Sequence, residues 1–154
     1  MTQTLAAQDT CVLVTGGAGF IGSHTVVELL ERGYQVVIVD DLSNASAKVE
    51  DRIKTIVGPE ASANLTLYVA DVNDREALTR IFDAHRIDRV IHFAGYKAVG
   101  ESMAKPIEYY NNNIGNTLTL VDVMREHGCK SIIFSSSSTV YGDPDSLPLT
   151  EESP

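Results

Sequence analysis

The stretch VLVTGGAGFIGSHTVVELL, residues 12–30, constrains this chain more than any other. A β-branched run ends without a spacer in glycines, and a segment follows whose apolar positions Ile21, Val26, Leu29 and Leu30 recur at helical spacing. That is the pattern of a strand buried on both faces, turning sharply into a helix that lies on the sheet. Gly16, Gly19 and Gly22 form a GxxGxxG frame, and Gly17 offers an overlapping GxGxxG. The first glycine permits the turn, the middle one lets a pyrophosphate approach backbone N–H groups, and the last lets helix and strand close up. The helix N-terminus then faces an anion with unpaired N–H groups and a partial positive charge. A glycine-rich turn of this kind also serves packing alone, so the surrounding sequence has to decide between the two.

Further apolar runs stand at CVLVT (11–15), VVIVD (36–40), LTLYVA (65–70), RVIHFA (89–94) and SIIFSS (131–136). The segments between them carry helical periodicity. A helix is predicted over 20–32 and capped by Gly33, and a weaker one over 45–57 (Val49, Ile53, Ile56, Val57) is ended by Gly58-Pro59. A third covers 75–85 through Leu78, Ile81 and Phe82. The longest starts near Pro106, presents Ile107, Tyr110, Ile114, Leu118, Val121 and Met124 as its apolar face, and closes at Gly128. After Ser136 the texture is that of a loop. Strand and helix alternating in this way predict an α/β fold, a doubly wound parallel sheet, filling 11–154 behind a disordered arm at 1–10.

Charge narrows the partners. Twelve Lys plus Arg against twenty-one Asp plus Glu give a net charge of −9, which repels nucleic acid and anionic membranes. No apolar run approaches the roughly 18 residues of a membrane span, and the first ten residues lack the features of a leader, so a cytoplasmic protein is expected. Cys11 and Cys129 have no CxxC partner and no neighbouring His at ligand spacing. They are read as buried reduced thiols, with no disulfide framework and no metal site. The triplets at Asn44 and Asn64 match the glycosylation pattern by chance.

Asp40 ends the second predicted strand, eighteen residues after Gly22. A carboxylate there accepts hydrogens from both ribose hydroxyls of an adenosine, and with Asp41 it repels a 2′-phosphate, so NAD is favoured over NADP. Asp71, ending the third strand, reaches an adenine amino group or forms a turn.

Four stretches, VTGGAGFIGSHTVVELL, VIHFAGYKAVGES (90–102), PIEYYNNNIGNT (106–117) and FSSSSTVYGD (134–143), together resemble the UDP-glucose 4-epimerase family of extended short-chain dehydrogenase/reductases, over roughly residues 11–154. The resemblance implies an NAD-binding Rossmann fold in which Phe20 and Ile21 present N–H groups to the pyrophosphate. Asp40, Asp41, Leu42, Ser43 and Asn44 surround the adenosine ribose, and Asp71 with Val72 borders the adenine. Phe93, Ala94 and Gly95 line the far side of the switch point, Lys97 and Asn112 contact the nicotinamide half, and Ser135 lies below the nicotinamide ring. Without the motif, Lys97 reads as a solvated surface lysine. The serines after the fifth strand satisfy loop donors, except Ser137, which the motif marks as catalytic with Thr139 assisting. His24, His85, His92 and His127 match no catalytic position.

The implied reaction is UDP-glucose/UDP-galactose 4-epimerisation: tightly held NAD⁺ takes hydride from C4 of a UDP-hexose, the keto sugar turns over, and hydride returns to the opposite face. Its base is a tyrosine made acidic by a lysine four residues later. None of Tyr34, Tyr68, Tyr96, Tyr109, Tyr110 or Tyr141 has a lysine at that distance. The expectation is therefore an N-terminal portion, truncated before the later strands and the small substrate domain and inactive alone, with a homodimer expected for the full-length family. The rivals are a stand-alone NAD-binding module, a split enzyme completed by a second polypeptide, and a related dehydratase or reductase. A dehydratase would place an acid pair near 135–139, where this chain has four serines and a threonine. Three departures from the family pattern stand out: Ser138 for the alanine after Ser137, Tyr96 for the leucine before Lys97, and Gly115-Asn116 in place of the usual order with glycine second.

Overall fold

The computed structural model describes residues 6–143 and 147–153. Five strands, β1 (Cys11–Thr15), β2 (Gln35–Asp40), β3 (Leu65–Val69), β4 (Arg89–His92) and β5 (Ile132–Phe134), form one sheet in the order β3-β2-β1-β4-β5. Every pairing is parallel, with Val12 opposite Val36 on one side of β1 and Arg89 on the other. The helices are α1 (Phe20–Glu31), α2 (Val49–Ser62), α3 (Arg75–Ala84), α4 (Val99–Ala104), α5 (Pro106–Tyr110) and α6 (Asn116–Glu126).

Side chains alternate across a strand, so the unbroken apolar runs divide between two cores. Val12, Val14, Val36 and Ile38 pack with Val26 and Leu30 of α1 and Ile53 of α2. Leu13, Val37 and Val39 pack on the opposite face with Leu78, Ile81 and Phe82 of α3 and Leu120, Val123 and Met124 of α6. The strand order reverses between β1 and β4, and a crevice opens beyond their C-terminal ends, where the chain leaves β1 for α1 on one face of the sheet and β4 for α6 on the other. Gly33 and Gly128, both left-handed, close α1 and α6 with paired reversed bonds: Tyr34 N–H to Leu29 O and Gly33 N–H to Leu30 O, and Cys129 N–H to Met124 O and Gly128 N–H to Arg125 O.

Several expectations need correction. Residues 7–9 form a short 3₁₀ turn with Thr10 buried behind it, where a disordered arm over 1–10 was expected, while residues 1–5 lie outside the described set. The second helix begins at Val49 instead of residue 45; Gly58, at φ 79°, ends its first run as expected, and Pro59 opens a further short turn up to Ser62. The short α4 was not foreseen. The long helix from Pro106 is α5 and α6 joined through a π-helical turn at Asn111–Gly115. Its sheet-facing side is Asn116, Leu120, Val123 and Met124. Of the predicted apolar face only Met124 is buried, and Ile107, Tyr110, Ile114, Leu118 and Val121 are exposed. Helical periodicity is satisfied equally by a stripe that packs and by one that does not. The strand β5 is likewise exposed, since Ile132, Ile133 and Phe134 belong to neither core, whereas β3 at the other edge packs Leu65, Leu67 and Tyr68 against them.

One buried polar relay ties β1, β4 and α6 together. The N–H of Ala94 donates to Thr15 Oγ1 (3.3 Å), Thr15 faces His92 Nδ1 (2.6 Å), His92 Nε2 faces Thr117 Oγ1 (3.1 Å), and Thr117 donates to the Asn113 carbonyl (2.8 Å). Since Thr117 gives its only hydrogen to that carbonyl, His92 must carry its proton on Nε2 and accept at Nδ1. Burial pushes the His92 imidazole below its ordinary pKa, offset in part by a hydrogen bond with Asn116. Burial and then Asp88 push the Cys11 thiol up to about 11, so it stays a packing residue.

Leu13, fully buried, should cost about 2–5 kcal/mol when changed to Ala. The edge residue Ile133, 64% exposed, should cost less than about 1 kcal/mol. Urea unfolding measures both. The neutral His92 gives a pH signature. Its folded pKa is lowered, so its contribution is intact above the unfolded value and shrinks as pH falls below about 6.5, where only the unfolded chain takes the proton. His127 is raised by the Val123 carbonyl and by Asp83 and acts in the opposite sense, so the part due to His92 is isolated by comparing wild type with His92→Gln. Between pH 7.5 and 5.5 the variant should lose less stability than wild type.

Candidate functional site

A cleft of about 730 Å³ opens at the C-terminal ends of β1, β2, β3 and β4. Its floor is the glycine turn. Gly16 has φ 66°, and a Cβ there would stand 2.7 Å from the Ala94 nitrogen, so the turn after β1 and the segment after β4 touch backbone to backbone. A Cβ on Gly22 would overlap the Gly16 carbonyl oxygen. At Gly19 an added Cβ would meet only the Gly16 oxygen, at 3.3 Å, and its surroundings are otherwise open. Helix α1 begins there, and among the described residues no backbone acceptor takes the N–H groups of Phe20, Ile21 or Gly22. The three donors and the helix dipole converge at the cleft floor, the arrangement that binds phosphate.

Asp40, at the end of β2 and 6% exposed, forms the neighbouring wall. Its Oδ2 accepts the N–H of Ala18 in the glycine turn (2.9 Å), and its Oδ1 accepts the N–H of Leu42 (3.0 Å). Each oxygen keeps a lone pair for a further donor. The bond to Leu42 holds that residue at φ 58°, a left-handed conformation unfavourable for a side chain of this size. Asp41 closes the turn by accepting from the N–H and the hydroxyl of Ser43. Ser43 and Asn44 line the rim, and Asp71 and Val72, after β3, complete this side.

The opposite wall is the extended segment after β4. Phe93, Ala94, Gly95 and Lys97 all line the cleft, with Asn112 above them in the π-helical turn. The side chain of Asn113 brackets residue 96: Oδ1 accepts the Tyr96 N–H (2.8 Å) and Nδ2 donates to the Tyr96 carbonyl (3.0 Å). The Tyr96 ring packs against Tyr109 at a 59° tilt with centroids 5.3 Å apart, so the departure from leucine adds an aromatic contact at the rim. Beside it, a hydrogen bond from Lys105, then one from Tyr109, holds the Glu101 carboxyl below its ordinary pKa. Lys105 also reaches Glu108 (3.6 Å), whereas among the described residues Lys97 is in no ion pair and remains available to a ligand.

The structure therefore gathers sixteen of the sequence-derived residues around one cleft, namely Gly16, Gly19, Phe20, Ile21, Gly22, Asp40, Asp41, Ser43, Asn44, Asp71, Val72, Phe93, Ala94, Gly95, Lys97 and Asn112. Leu42 is outside the lining and donates its N–H to the Asp40 carboxylate. Ser135, Ser137 and Thr139 lie beyond β5, outside the lining. Thr139 Oγ1 donates to Ser137 Oγ (2.9 Å), and the side chain of Ser138 is outside the described set. Sequence reasoning missed Thr15, Asn113 and Asn116. Consecutive asparagines inside a helical pattern were the available signal, since asparagine favours turns and caps over helix interiors.

Comparison with known proteins follows the same lines. Residues 13–154 match the family model described as GDP-mannose 4,6 dehydratase. The chain is 57% identical over 143 residues to UDP-glucose 4-epimerase 2 of Arabidopsis thaliana and 54% identical to the UDP-glucose 4-epimerase of Bacillus subtilis, 93% of this chain in each case. It spans 41% of the length of these curated relatives. Among solved structures it resembles the Bifidobacterium longum UDP-glucose 4-epimerase in complex with NAD⁺ and UDP (TM-score 0.87, 54% identity, 94% of this chain and 42% of that one). It also resembles the Stenotrophomonas maltophila enzyme with bound NAD and formylated UDP-arabinopyranose (TM-score 0.86, 44% identity, again 94% and 42%). With the strand order and the glycine-floored cleft already established, these likenesses show that the chain belongs to the family described as GDP-mannose 4,6 dehydratase, and within it is similar to UDP-glucose 4-epimerases, of whose length it spans about two fifths.

Proposed function

We propose that these residues form the NAD-binding portion of a UDP-hexose 4-epimerase. The observation that carries the reading is the meeting, in one cleft, of the free N–H groups of Phe20–Gly22 with the buried Asp40 carboxylate of the adjacent strand. The fit to NAD is good on the structure's own terms. The floor lacks side chains where a pyrophosphate would lie, the anion donors are unused, and Asp40 retains acceptor capacity for two ribose hydroxyls. Asp40 and Asp41 together repel a 2′-phosphate.

Bound NAD supplies reversible hydride acceptance. The chain's own residues bind and orient. Asp71 and Val72 would border the adenine and Lys97 and Asn112 would hold the nicotinamide half, while Ser135, outside the cleft lining, is assigned to the ring by the family pattern alone. Thr139 donates to Ser137 Oγ, which leaves the Ser137 hydroxyl hydrogen free for the oxygen of the sugar carbon. The segment 135–139 carries no acid, which favours epimerisation over dehydration. No Tyr-x-x-x-Lys pair occurs in the chain, so the proton-accepting step is not assigned to any of its residues. The exposed stripe from Ile107 to Val121 supports a homodimer in the full-length protein. The net charge of −9 argues against nucleic acid, and no described helix is long and apolar enough to cross a membrane, in keeping with a cytoplasmic enzyme.

Calorimetric titration should show NAD⁺ binding at least about tenfold more tightly than NADP⁺, and Asp40→Ala should weaken NAD⁺ by about 10–100-fold, the worth of charge-assisted hydrogen bonds. Equal binding of the two nucleotides would overturn the assignment of Asp40. Incubated with UDP-galactose, the chain alone should form no UDP-glucose. Co-expression with the C-terminal portion of a relative should restore conversion, and turnover by the chain alone would refute the proposed division of labour.

A further inference from the structure

The segment after β4 has left the sheet by the time it reaches the cleft. Its last ladder bond is Phe93 N–H to the Thr15 carbonyl, and residues 94–96 have no strand beside them. Side chains replace the missing strand. Thr15 Oγ1 takes the Ala94 N–H, Asn113 brackets Tyr96, and the carbonyl of Ala94 between them receives Nδ2 of Asn116 at 3.3 Å. Asn116 opens α6, is 2% exposed, and lines the cleft. A buried asparagine amide must be matched on both ends: Nδ2 is given to Ala94, and Oδ1, which the Thr117 hydroxyl faces at 3.2 Å without a hydrogen to spare, takes the hydrogen bond with His92. Gly115 permits this placement, because an added Cβ there would stand 2.8 Å from Asn73 Oδ1 in the turn that carries Asp71.

We infer that Asn116 is a positioning residue for one half of the cleft: through the Ala94 carbonyl it fixes the segment 94–97, and with it Lys97, relative to the glycine floor. The inference rests on the dinucleotide reading of the cleft. Ala94 is the point at which the far wall meets Gly16, so its carbonyl sets the width available to the distal half of a dinucleotide. The adenosine half is bounded by Asp40, at the end of β2, and by Asp71, in the turn after β3, and Asn116 makes no hydrogen bond to either.

The test separates positioning from a role in folding. NAD⁺ and ADP are titrated into the whole chain, into Asn116→Ala and into Asn116→Asp, which keeps the shape but replaces the donor by an acceptor. ADP occupies the pyrophosphate floor and the adenosine wall but not the far side. Each variant should bind NAD⁺ about fivefold more weakly, the worth of one neutral hydrogen bond, with ADP changed by less than about twofold. Retained ADP binding reports that the fold is intact. Equal losses for both nucleotides would show a merely structural asparagine and overturn the inference, as would unchanged NAD⁺ affinity. Wild-type protein that binds ADP but gains nothing from the nicotinamide half also overturns it, while wild-type protein that binds neither removes the dinucleotide reading and this inference together.

Discussion

At the C-terminal end of β1 three backbone segments meet with no side chain between them. Gly16 is left-handed and stands against Ala94 of the next strand's continuation, and Gly22 lets the first turn of α1 lie on the Gly16 peptide. A Cβ at either place would push the helix from the sheet or the β4 continuation from β1, and in both cases the floor of the cleft would be lost. The direction of α1, the approach of its free N–H groups to the cleft and the width between the two walls all follow from that contact.

Around this bare backbone the polar groups form a frame with no excess. Asp40 joins the glycine turn to the loop after β2, and the relay through Thr15, His92 and Thr117 joins β1 to α6. Asn113 and Asn116 hold the segment that continues β4. Among the described residues no buried side-chain nitrogen or oxygen lacks a partner. A frame of matched polar groups is costly to deform, because each broken bond leaves a desolvated atom behind. Binding groups held in this way are placed before the ligand arrives, which lowers the ordering cost of binding.

The opposite tendency appears at the far side of the sheet. β5 pairs with β4 alone, and the stripe from Ile107 to Val121 runs along a helix whose other face is already packed. The chain spans about two fifths of its curated relatives, and these apolar surfaces are where further polypeptide has most to gain by burial. The residues that line the glycine-floored cleft, by contrast, are held by hydrogen bonds among the ends of β1, β2 and β4 and the start of α6.

Strand runs, glycine frame, Asp40 spacing and the two glycine caps were legible in the sequence, because each follows from local chemistry: β-branched residues for a two-sided strand, a missing Cβ for a close approach, a left-handed glycine for a helix end. That sixteen of the residues expected at the cofactor line one cleft follows from the same pattern, since most of them sit in the turns that follow the strands. Tertiary structure alone decided which stripe of the long helix faces the sheet, since both stripes have helical spacing and only the position of β4 and α3 chooses between them. It alone decided that Asn113 and Asn116 grip the segment after β4, for that requires a helix and a strand distant in sequence to be brought within hydrogen-bond reach. Period and residue type determine an element and its buried potential, whereas which groups meet across elements is set by packing, a property of the assembled chain.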